Sequence, residues 1–455
     1  MSTRSNRRTP LRIASLLAVA ALAVAACGSD GGDRSSRPRG GQADGGWIGG
    51  EPAWRSGGAS GTDADVLAEA GEATAGAAPS EVGGDVERAG GPLRAGSVDD
   101  TADLPGYLDY LARLADAGIE LRDVDPTGRV VVTVVGSDER PVPGAEVVVA
   151  QGGEERGRVR TTADGIARVL PAFLGASPTE PVELAVEGEA VTAEPGTEVT
   201  VALDRPGGVA GSVPVDILFL LDATGSMGDE IDRLKTTIDT VAQRVAALDA
   251  QPDLRFAMTL YRDEGDSFVT ATHDFTGDVD AFRAALAEVE ADGGGDMPEA
   301  FDEGLAAALG EPAWRDPAET VQLVFLVADA PPHLDRQAEQ AYPASIRAAA
   351  ARGIKVIPIA SSSSDDAAEG VFRQVAQATG ARFVFLSYGA EGAATGTHTD
   401  IDRTDYEELA LDDLVVRLVT EELDALGGGG GTTTSTQPGT TTTTAPTTTT
   451  TPPGQ

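Results

Sequence analysis

The chain has 455 residues, which is enough for two or three domains. It carries 73 acidic residues against 34 Lys and Arg, for a formal net charge of −39. A surface this acidic repels nucleic-acid phosphates and anionic lipid headgroups, so it argues against both as electrostatic partners, and it attracts cations. The same acidity also serves solubility.

Residues 1–26 are predicted to be an export signal. Arginines precede an apolar stretch at Ile13–Ala26, which is too short for an ordinary membrane span. Cys27, the only cysteine of the chain, directly follows "VAA" and excludes an intramolecular disulfide. This arrangement resembles a bacterial lipobox, which implies lipidation of Cys27 and anchoring at the extracytoplasmic face of the cell membrane. The alternative is plain cleavage near Ala25 or Ala26 with an idle thiol.

Residues 27–100 are rich in Gly, Ala and acidic residues and lack a sustained apolar period, so they predict a disordered tether. Residues 101–125 predict a short helix, with Asp103 as its cap before Pro105. Four apolar residues are predicted to share one face of this helix: Leu104, Leu108, Leu111 and Ala115.

Residues 126–205 change to a period of two, in short segments rich in Val and Thr. Five to seven strands of this kind predict a small β-sandwich, and Asp164-Gly165 gives its strongest hairpin signal. The segments "RPVPGAEVVV" and "TTADGIARV" resemble carboxypeptidase-regulatory, transthyretin-like modules. No catalytic group stands out, and Asp164 is explained better by the turn than by a metal.

Residues 211–426 alternate apolar strand patterns with helical periodicity, which predicts an α/β domain with a Rossmann-like, doubly wound, mostly parallel sheet. The second and third strands are joined by "DEGDS", so the third is expected to be an antiparallel edge strand. Residues 427–455 are Thr- and Pro-rich and predict a disordered tail, or an O-glycosylated stalk.

The segment "VDILFLLDATGSM" places Asp222, Thr224 and Ser226 directly after a buried strand and before a helix. The segment "LVFLVADAPPH" ends the fourth strand in the same way, at Asp329. Ligands of doubly wound sheets bind outside the carboxyl ends of the strands, where the strand order reverses. If the first and fourth strands are neighbours, these oxygens form a cage suited to Mg²⁺, or to Ca²⁺ or Mn²⁺.

The motif "DATGSM", together with "GGGDMPEA" and "VADAPPH" in order, resembles the von Willebrand factor type A family over about residues 213–426. The resemblance implies a metal-ion-dependent adhesion site. Thr224 and Ser226 would offer hydroxyls to the metal, and Asp222 and Asp329 would bind it directly or through water. Asp296 stands where the family commonly has Thr after Gly-Gly. It is interpreted as a variant ligand, with the N-cap of a helix from Pro298 as the alternative.

Further polar residues lie on the same predicted rim: Asp263, Glu264, Asp266, Glu299 and His333. The first three are interpreted as a charged hairpin turn, with an outer role at the site as the alternative. Glu299 suits the first turn of a helix and is interpreted as structural. His333 follows Asp329 by four residues and is a weaker candidate for the site.

The family resemblance favours a non-enzymatic binding protein that uses a divalent cation to capture a protein or surface ligand offering a carboxylate. Ser226 has neither a Gly-x-Ser-x-Gly elbow nor a nearby His, which argues against a nucleophilic hydrolase. A metal-dependent hydrolase and a structural surface spacer are the alternatives. The membrane is expected as a partner through the lipid anchor only, and nucleic acid is not expected.

Overall fold

The computed structural model describes residues 93–209, 211–248, 251–295, 297–336, 340–361, 364–387, 406 and 408–427. The predicted signal segment, Cys27, the tether up to residue 92, Asp296 and the tail from residue 428 lie outside the described residues. Within those ranges, no helix combines the length and the hydropathy that crossing a membrane requires.

The described strands are numbered in chain order: β1 (Arg94–Val98), β2 (Val130–Val135), β3 (Glu146–Gln151), β4 (Glu154–Arg160), β5 (Ile166–Val169), β6 (Val182–Val186), β7 (Glu189–Ala193), β8 (Glu198–Ala202), β9 (Pro214–Asp222), β10 (Asp253–Tyr261), β11 (Thr270–Thr276), β12 (Val321–Ala328), β13 (Lys355–Ala360), β14 (Phe383–Ser387) and β15 (Glu408–Ala410). The described helices are α1 (Leu104–Asp116), α2 (Gly228–Ala246), α3 (Val279–Ala287), α4 (Phe301–Gly310), α5 (Tyr342–Arg352), α6 (Asp366–Thr379) and α7 (Leu411–Gly427).

The central sheet has the order β11-β10-β9-β12-β13-β14-β1-β15. Strands β10, β9, β12, β13 and β14 run parallel, and β11 pairs antiparallel with β10 at one edge. The predicted fold class and the antiparallel third strand of this domain are therefore confirmed. Strands β9 and β12 are apolar on both faces because helices cover the sheet on each side.

The opposite edge of the sheet differs from the sequence prediction. Strand β1 pairs antiparallel with β14 and with β15, although the tether was predicted to continue to residue 100. A short strand, β15, precedes the last helix, which begins at Leu411. Both strands were missed because they are short and lack an apolar alternation that propensity alone could detect.

Strands β2 to β8 form two further sheets, β5-β2-β8 and β4-β3-β6-β7. Alternate valines of both sheets, such as Val132 and Val147, are fully buried in one shared core, as in a sandwich. Asp164 lies in the predicted turn, where it accepts hydrogen bonds from Thr162 Oγ1 and Ile166 N. Its second oxygen lies 3.3 Å from Nζ of the buried Lys355, which ties the sandwich to β13.

Helix α1 is capped as predicted, because the Asp103 side chain accepts from Gly106 N at 3.1 Å. Its predicted buried face is wrong. Tyr107, Tyr110 and Leu114 are buried, whereas Leu108 is 36% exposed. The two tyrosines are buried in place of Leu108 because their rings bury more apolar area than the leucine side chain and pack around an arginine of α6.

That arginine, Arg373, is buried and makes a charged cluster between the amino-terminal segment and α6. Its Nε and Nη2 donate to both carboxylate oxygens of Asp100, at 2.8 and 2.7 Å, and its Nη1 donates to Glu369 at 3.0 Å. The guanidinium carbon lies 3.6 Å from the ring centroid of Tyr110. Both carboxylates are only 1% exposed, so their charges depend on this arginine.

Candidate metal centre

Two neighbouring strands of the central sheet lead into aspartates at the same edge. Strands β9 and β12 pair in parallel with Leu221 opposite Val327. Asp222 closes β9 and Asp329 directly follows β12, and both side chains are fully buried. The predicted adjacency of these two strands is confirmed. On the other side of β9, Tyr261 lies opposite Asp222.

The turn after β9 supplies hydroxyl groups beside Asp222. Thr224 donates from its backbone N and from Oγ1 to Asp222 Oδ1, at 3.0 and 2.6 Å. Thr224 Oγ1 lies 3.2 Å from Ser226 Oγ. Thr224 is buried and Ser226 is exposed, so the oxygen series leads from the interior to the surface. Carboxylate and hydroxyl oxygens in such a series are ligands that hard divalent cations prefer.

Glu299 also lies at this edge, although the sequence analysis interpreted it as structural. Its backbone N donates to Pro331 O at 3.1 Å, which joins it to the loop after Asp329. A Cβ placed on Gly294 would lie 2.6 Å from Glu299 Oε1 and 2.9 Å from Thr224 Cβ. The Glu299 carboxylate and the Thr224 side chain are therefore neighbours across a glycine.

Two carboxylate oxygens at this edge are buried without a hydrogen bond of ordinary length and angle: Asp222 Oδ2 and Glu299 Oε2. The Tyr261 hydroxyl also interacts with the Asp222 carboxylate. Burial is the main cause that raises the pKa of Asp222 to about 7, and the negative charge of Asp329 is the second cause. Burial is also the main cause that raises the pKa of Glu299 to about 8, and the surrounding carboxylates, of which Asp222 has the largest effect, add to it. Such oxygens are costly to bury as charges unless a proton or a cation neutralises them.

We expect the metal-free chain to lose stability as the pH rises. A carboxyl group whose pKa is raised in the folded state binds more protons in that state than in the unfolded state, so it stabilises the fold at low pH. For Asp222 this contribution is lost as the pH rises from the unfolded-state pKa of about 4 through the folded-state pKa of about 7. Between pH 5 and pH 8.5 the free energy of unfolding in chelator should fall by roughly 1–4 kcal/mol relative to Asp222→Asn. Urea denaturation of wild type and of Asp222→Asn at several pH values measures this change. The prediction is contradicted if the difference in the free energy of unfolding between the two proteins is the same at every pH.

The loops that carry the site are held together by Arg262, which the sequence analysis did not single out. Its Nε donates to Ala223 O at 3.1 Å and its Nη2 donates to Glu290 O at 2.8 Å. Gly225 N also donates to Gly293 O at 3.0 Å. The turn after β9 and the Gly-rich loop before α4 therefore form one framework.

The hairpin after β10 belongs to the same framework. Asp266 Oδ2 accepts from Gly294 N at 2.9 Å and from Asp263 N at 3.1 Å. His333 Nε2 lies 3.0 Å from Asp263 Oδ1. The aspartates thus shape the turn and support the Gly-rich loop, and His333 contacts Asp263.

The loop after Asp329 is braced by Arg122, from the connection between α1 and β2. Its Nη2 donates to the carbonyl oxygens of His333 and Arg336, at 2.8 and 3.1 Å. Its Nη1 donates to both carboxylate oxygens of the buried Asp302, at 2.8 and 2.6 Å. A segment far away in sequence therefore positions one of the site loops.

The structure brings together Asp222, Thr224, Ser226 and Asp329, while Asp296 lies outside the described residues. The alternative for Asp296, an N-cap of a helix from Pro298, is wrong because α4 begins at Phe301 with Ala300 as its N-cap. The burial of Glu299 at this edge was not predicted, because the short segment between the Gly-rich loop and α4 gives no periodic signal for burial.

Among the described residues, no three His, Cys, Asp or Glu side chains are grouped as a metal site by themselves. The candidate centre therefore depends on hydroxyls as well as carboxylates. The two buried oxygens without hydrogen-bond donors, beside Thr224 and Ser226, fit an oxygen-binding cation.

A family model of the von Willebrand factor A domain matches residues 216–388, which contain Asp222, Asp329 and the loops around them. Residues 216–388 form a von Willebrand factor A domain. Domains of this type often bind ligands and metal ions. The match leaves out β1, β15 and α7, which complete the sheet edge and its covering helix in this chain.

Two curated relatives share part of this chain. A RING finger protein of Acanthamoeba polyphaga mimivirus, described as ariadne-like, is 33% identical over 119 residues, which are 26% of this chain and 11% of that protein. The alpha-protein kinase vwkA of Dictyostelium discoideum is 29% identical over 126 residues, which are 28% of this chain and 20% of that protein. The chain thus spans a fifth or less of either relative.

Solved structures that match part of this chain include BatB from Bacteroides thetaiotaomicron, at 12% identity and a TM-score of 0.31, covering 48% of this chain and 100% of that chain. The pilus adhesin SpaC from Lactobacillus rhamnosus GG matches at 13% identity and a TM-score of 0.32, covering 55% of this chain and 33% of that chain. Likenesses this distant add no information on function.

Proposed function

We propose that the type A domain binds a divalent cation, Mg²⁺ or alternatively Ca²⁺ or Mn²⁺, and uses it to capture a protein or surface ligand that offers a carboxylate. The cation would be held by Asp222, Thr224, Ser226 and Asp329, with Asp296 as a further ligand. The observation that carries this proposal is the Asp222 carboxylate, which is fully buried beside the negative charge of Asp329 and has one oxygen, Oδ2, without a hydrogen bond of ordinary geometry.

In this proposal the bound cation supplies positive charge that a partner's carboxylate can coordinate. The chain itself performs the positioning. Thr224 orients the Asp222 carboxylate through two hydrogen bonds, and Arg262 fixes the loop that carries Thr224. Ser226 is exposed and places its hydroxyl where the site opens to solvent.

The proposed location is the extracytoplasmic face of the cell membrane, with a lipid anchor at Cys27. The order of arginines, apolar residues and "VAAC" supports it. A surface with a net charge of −39 also attracts cations, which is consistent with a cation site.

Asp222→Ala is expected to abolish cation binding, because it removes the carboxylate that both hydroxyl-bearing residues surround. The test is calorimetric titration of Mg²⁺, Ca²⁺ and Mn²⁺ into the whole chain after chelator treatment. Wild type should bind one cation saturably, and the variant should bind at least about 100-fold more weakly.

The control is Asp232→Ala, which removes a carboxylate that is 86% exposed on α2, one turn beyond the site. It should bind the cation like wild type. If the wild-type chain shows no saturable binding to any of the three ions, the proposed function is wrong. Acetate added to the Mn²⁺-loaded chain then tests carboxylate capture, because it should displace water from the ion and lower the water-proton relaxation rate.

The second candidate function is metal-dependent phosphoryl chemistry. It is favoured by two buried carboxylates at adjacent strand ends, an arrangement that also suits catalytic Mg²⁺. It is supported as well by a kinase among the relatives, although the shared segment covers 20% of that kinase. Mg²⁺-dependent turnover of a model phosphoester that is lost in Asp222→Ala would replace binding by catalysis.

A further inference from the structure

We propose that Glu299 is a direct ligand of the cation, in addition to the residues of the motif that the family resemblance implies. This inference rests on the proposed cation binding and goes beyond it, because it assigns a further carboxylate, outside the motif, to the site. It starts from the position of Glu299, which is 3% exposed and lies between the Gly-rich loop and α4.

The backbone around Glu299 fixes its side chain on the site. Its N–H donates to Pro331 O, and the residue forms a β-bridge with Pro332, which lies three residues after Asp329. Glu299 is thereby tied to one site loop through its backbone. Its carboxylate also lies beside the Gly-rich loop and the turn after β9, because a Cβ built on Gly294 would collide with both Glu299 Oε1 and the Thr224 side chain.

Gly294 has φ 59°, a backbone conformation that favours glycine, and any side chain there would collide with both neighbours. The loop therefore brings the glutamate and the threonine together at a position where only glycine fits. A structural glutamate of a helix's first turn would instead bond to helix N–H groups or face solvent.

The second oxygen of this carboxylate supports a ligand role independently. Glu299 Oε2 is buried and accepts no hydrogen bond from any residue that the structure describes. Asp222 Oδ2 also lacks a hydrogen bond of ordinary geometry. The described carboxylates do not form a group of three ligands by themselves, so we expect the cation to draw these two oxygens toward it, since each is otherwise a lost hydrogen bond.

A further carboxylate changes what the site can bind. Asp222, Asp329 and Glu299 alone carry three formal negative charges against two positive charges on the ion, so the loaded site remains anionic. Such a site holds its cation tightly and attracts a partner's carboxylate less strongly than a site with fewer carboxylates. Removing the charge of Glu299 should therefore weaken cation binding and strengthen binding of acetate to the loaded site.

The experiment compares Glu299→Gln with wild type in the whole chain. Mn²⁺ affinity is measured by calorimetry, and the number of water molecules on the ion is measured by water-proton relaxation. Glu299→Gln should bind Mn²⁺ roughly tenfold more weakly or worse and should carry about one more inner-sphere water. Glu299→Asp keeps the charge but retracts the carboxylate, so it should also gain water.

Two controls separate ligation from general electrostatics. Asp263→Asn removes a negative charge from the rim, and Glu303→Gln removes one from α4. Both should keep the water number of wild type. Circular dichroism establishes that each variant is folded.

The outcomes distinguish this inference from the proposed function. If wild type binds Mn²⁺ and Glu299→Gln keeps both its affinity and its water number, Glu299 is not a ligand and only this inference is overturned. If wild type binds no cation, both proposals are overturned. An affinity loss equal to that of Asp263→Asn, without added water, reduces Glu299 to an electrostatic neighbour and also overturns the inference.

Discussion

Arg373→Ala is expected to lower the free energy of unfolding by about 3–5 kcal/mol, which is a large part of the stability of an ordinary domain. The substitution leaves Asp100 and Glu369 with negative charges that are buried and uncompensated. It also removes the cation over the ring of Tyr110. Since these contacts join the amino-terminal segment to α6, the loss should release α1 from the domain.

Urea denaturation measures this effect, and hydrogen exchange of the backbone amides of α1 reports whether α1 detaches first. Arg158→Ala is a matched control, because Arg158 also contacts two carboxylates, Glu146 and Glu155, but is 49% exposed. The control should cost no more than about 1 kcal/mol. Equal losses in the two variants would mean that burial does not decide the value of the Arg373 cluster.

Arg122→Ala is expected to cost about 2–4 kcal/mol and to weaken cation binding as well. Its guanidinium satisfies both oxygens of the buried Asp302 and the carbonyls of His333 and Arg336. Without the Arg122 guanidinium, the loop after Asp329 loses the hydrogen bonds that hold it in place, and the position of the Asp329 carboxylate is less well fixed. Stability is measured by urea denaturation, and the Mn²⁺ dissociation constant is measured by calorimetry.

The matched control for this prediction is Arg336→Ala. Arg336 lies on the same loop but is 42% exposed and pairs with the exposed Glu264. Its substitution keeps the backbone carbonyl that Arg122 contacts, so it should change neither stability nor affinity appreciably. An Arg122→Ala protein that binds Mn²⁺ like wild type would show that the loop holds its shape without the brace.

The sequence predicted the centre of the fold well because long apolar strands carry a strong local signal. Strand β9 is buried from Val215 onward and β12 along its whole length, and each leads into an aspartate. The sequence analysis placed both aspartates at one crevice on the condition that these strands are neighbours, and the pairing meets that condition. The positions of Thr224 and Ser226 beside Asp222 followed from the same turn.

The features that the sequence did not predict depend on contacts between distant parts of the chain. Arg122 lies 180 residues from Asp302 and Arg373 lies 273 from Asp100, so neither pair produces a local pattern. The buried face of α1 was also misjudged, because counting apolar residues favours leucines over tyrosines. Glu299 was interpreted as a structural residue in the first turn of a helix, because nothing nearby in sequence indicates that its carboxylate is enclosed.

Strand β1 has a consequence for the order in which this protein can assemble. It is synthesised before the sandwich, yet its two partners, β14 and β15, come near the end of the described chain. The sandwich strands pair only among themselves, so their pairing needs no later part of the chain. Strand β1 of the type A sheet can pair only after β14 and β15 have been synthesised. Such pairing between distant parts of the chain is a slow step in folding. A fragment cut at residues 216–388 would lack β1 and present β14 as an open edge to other chains.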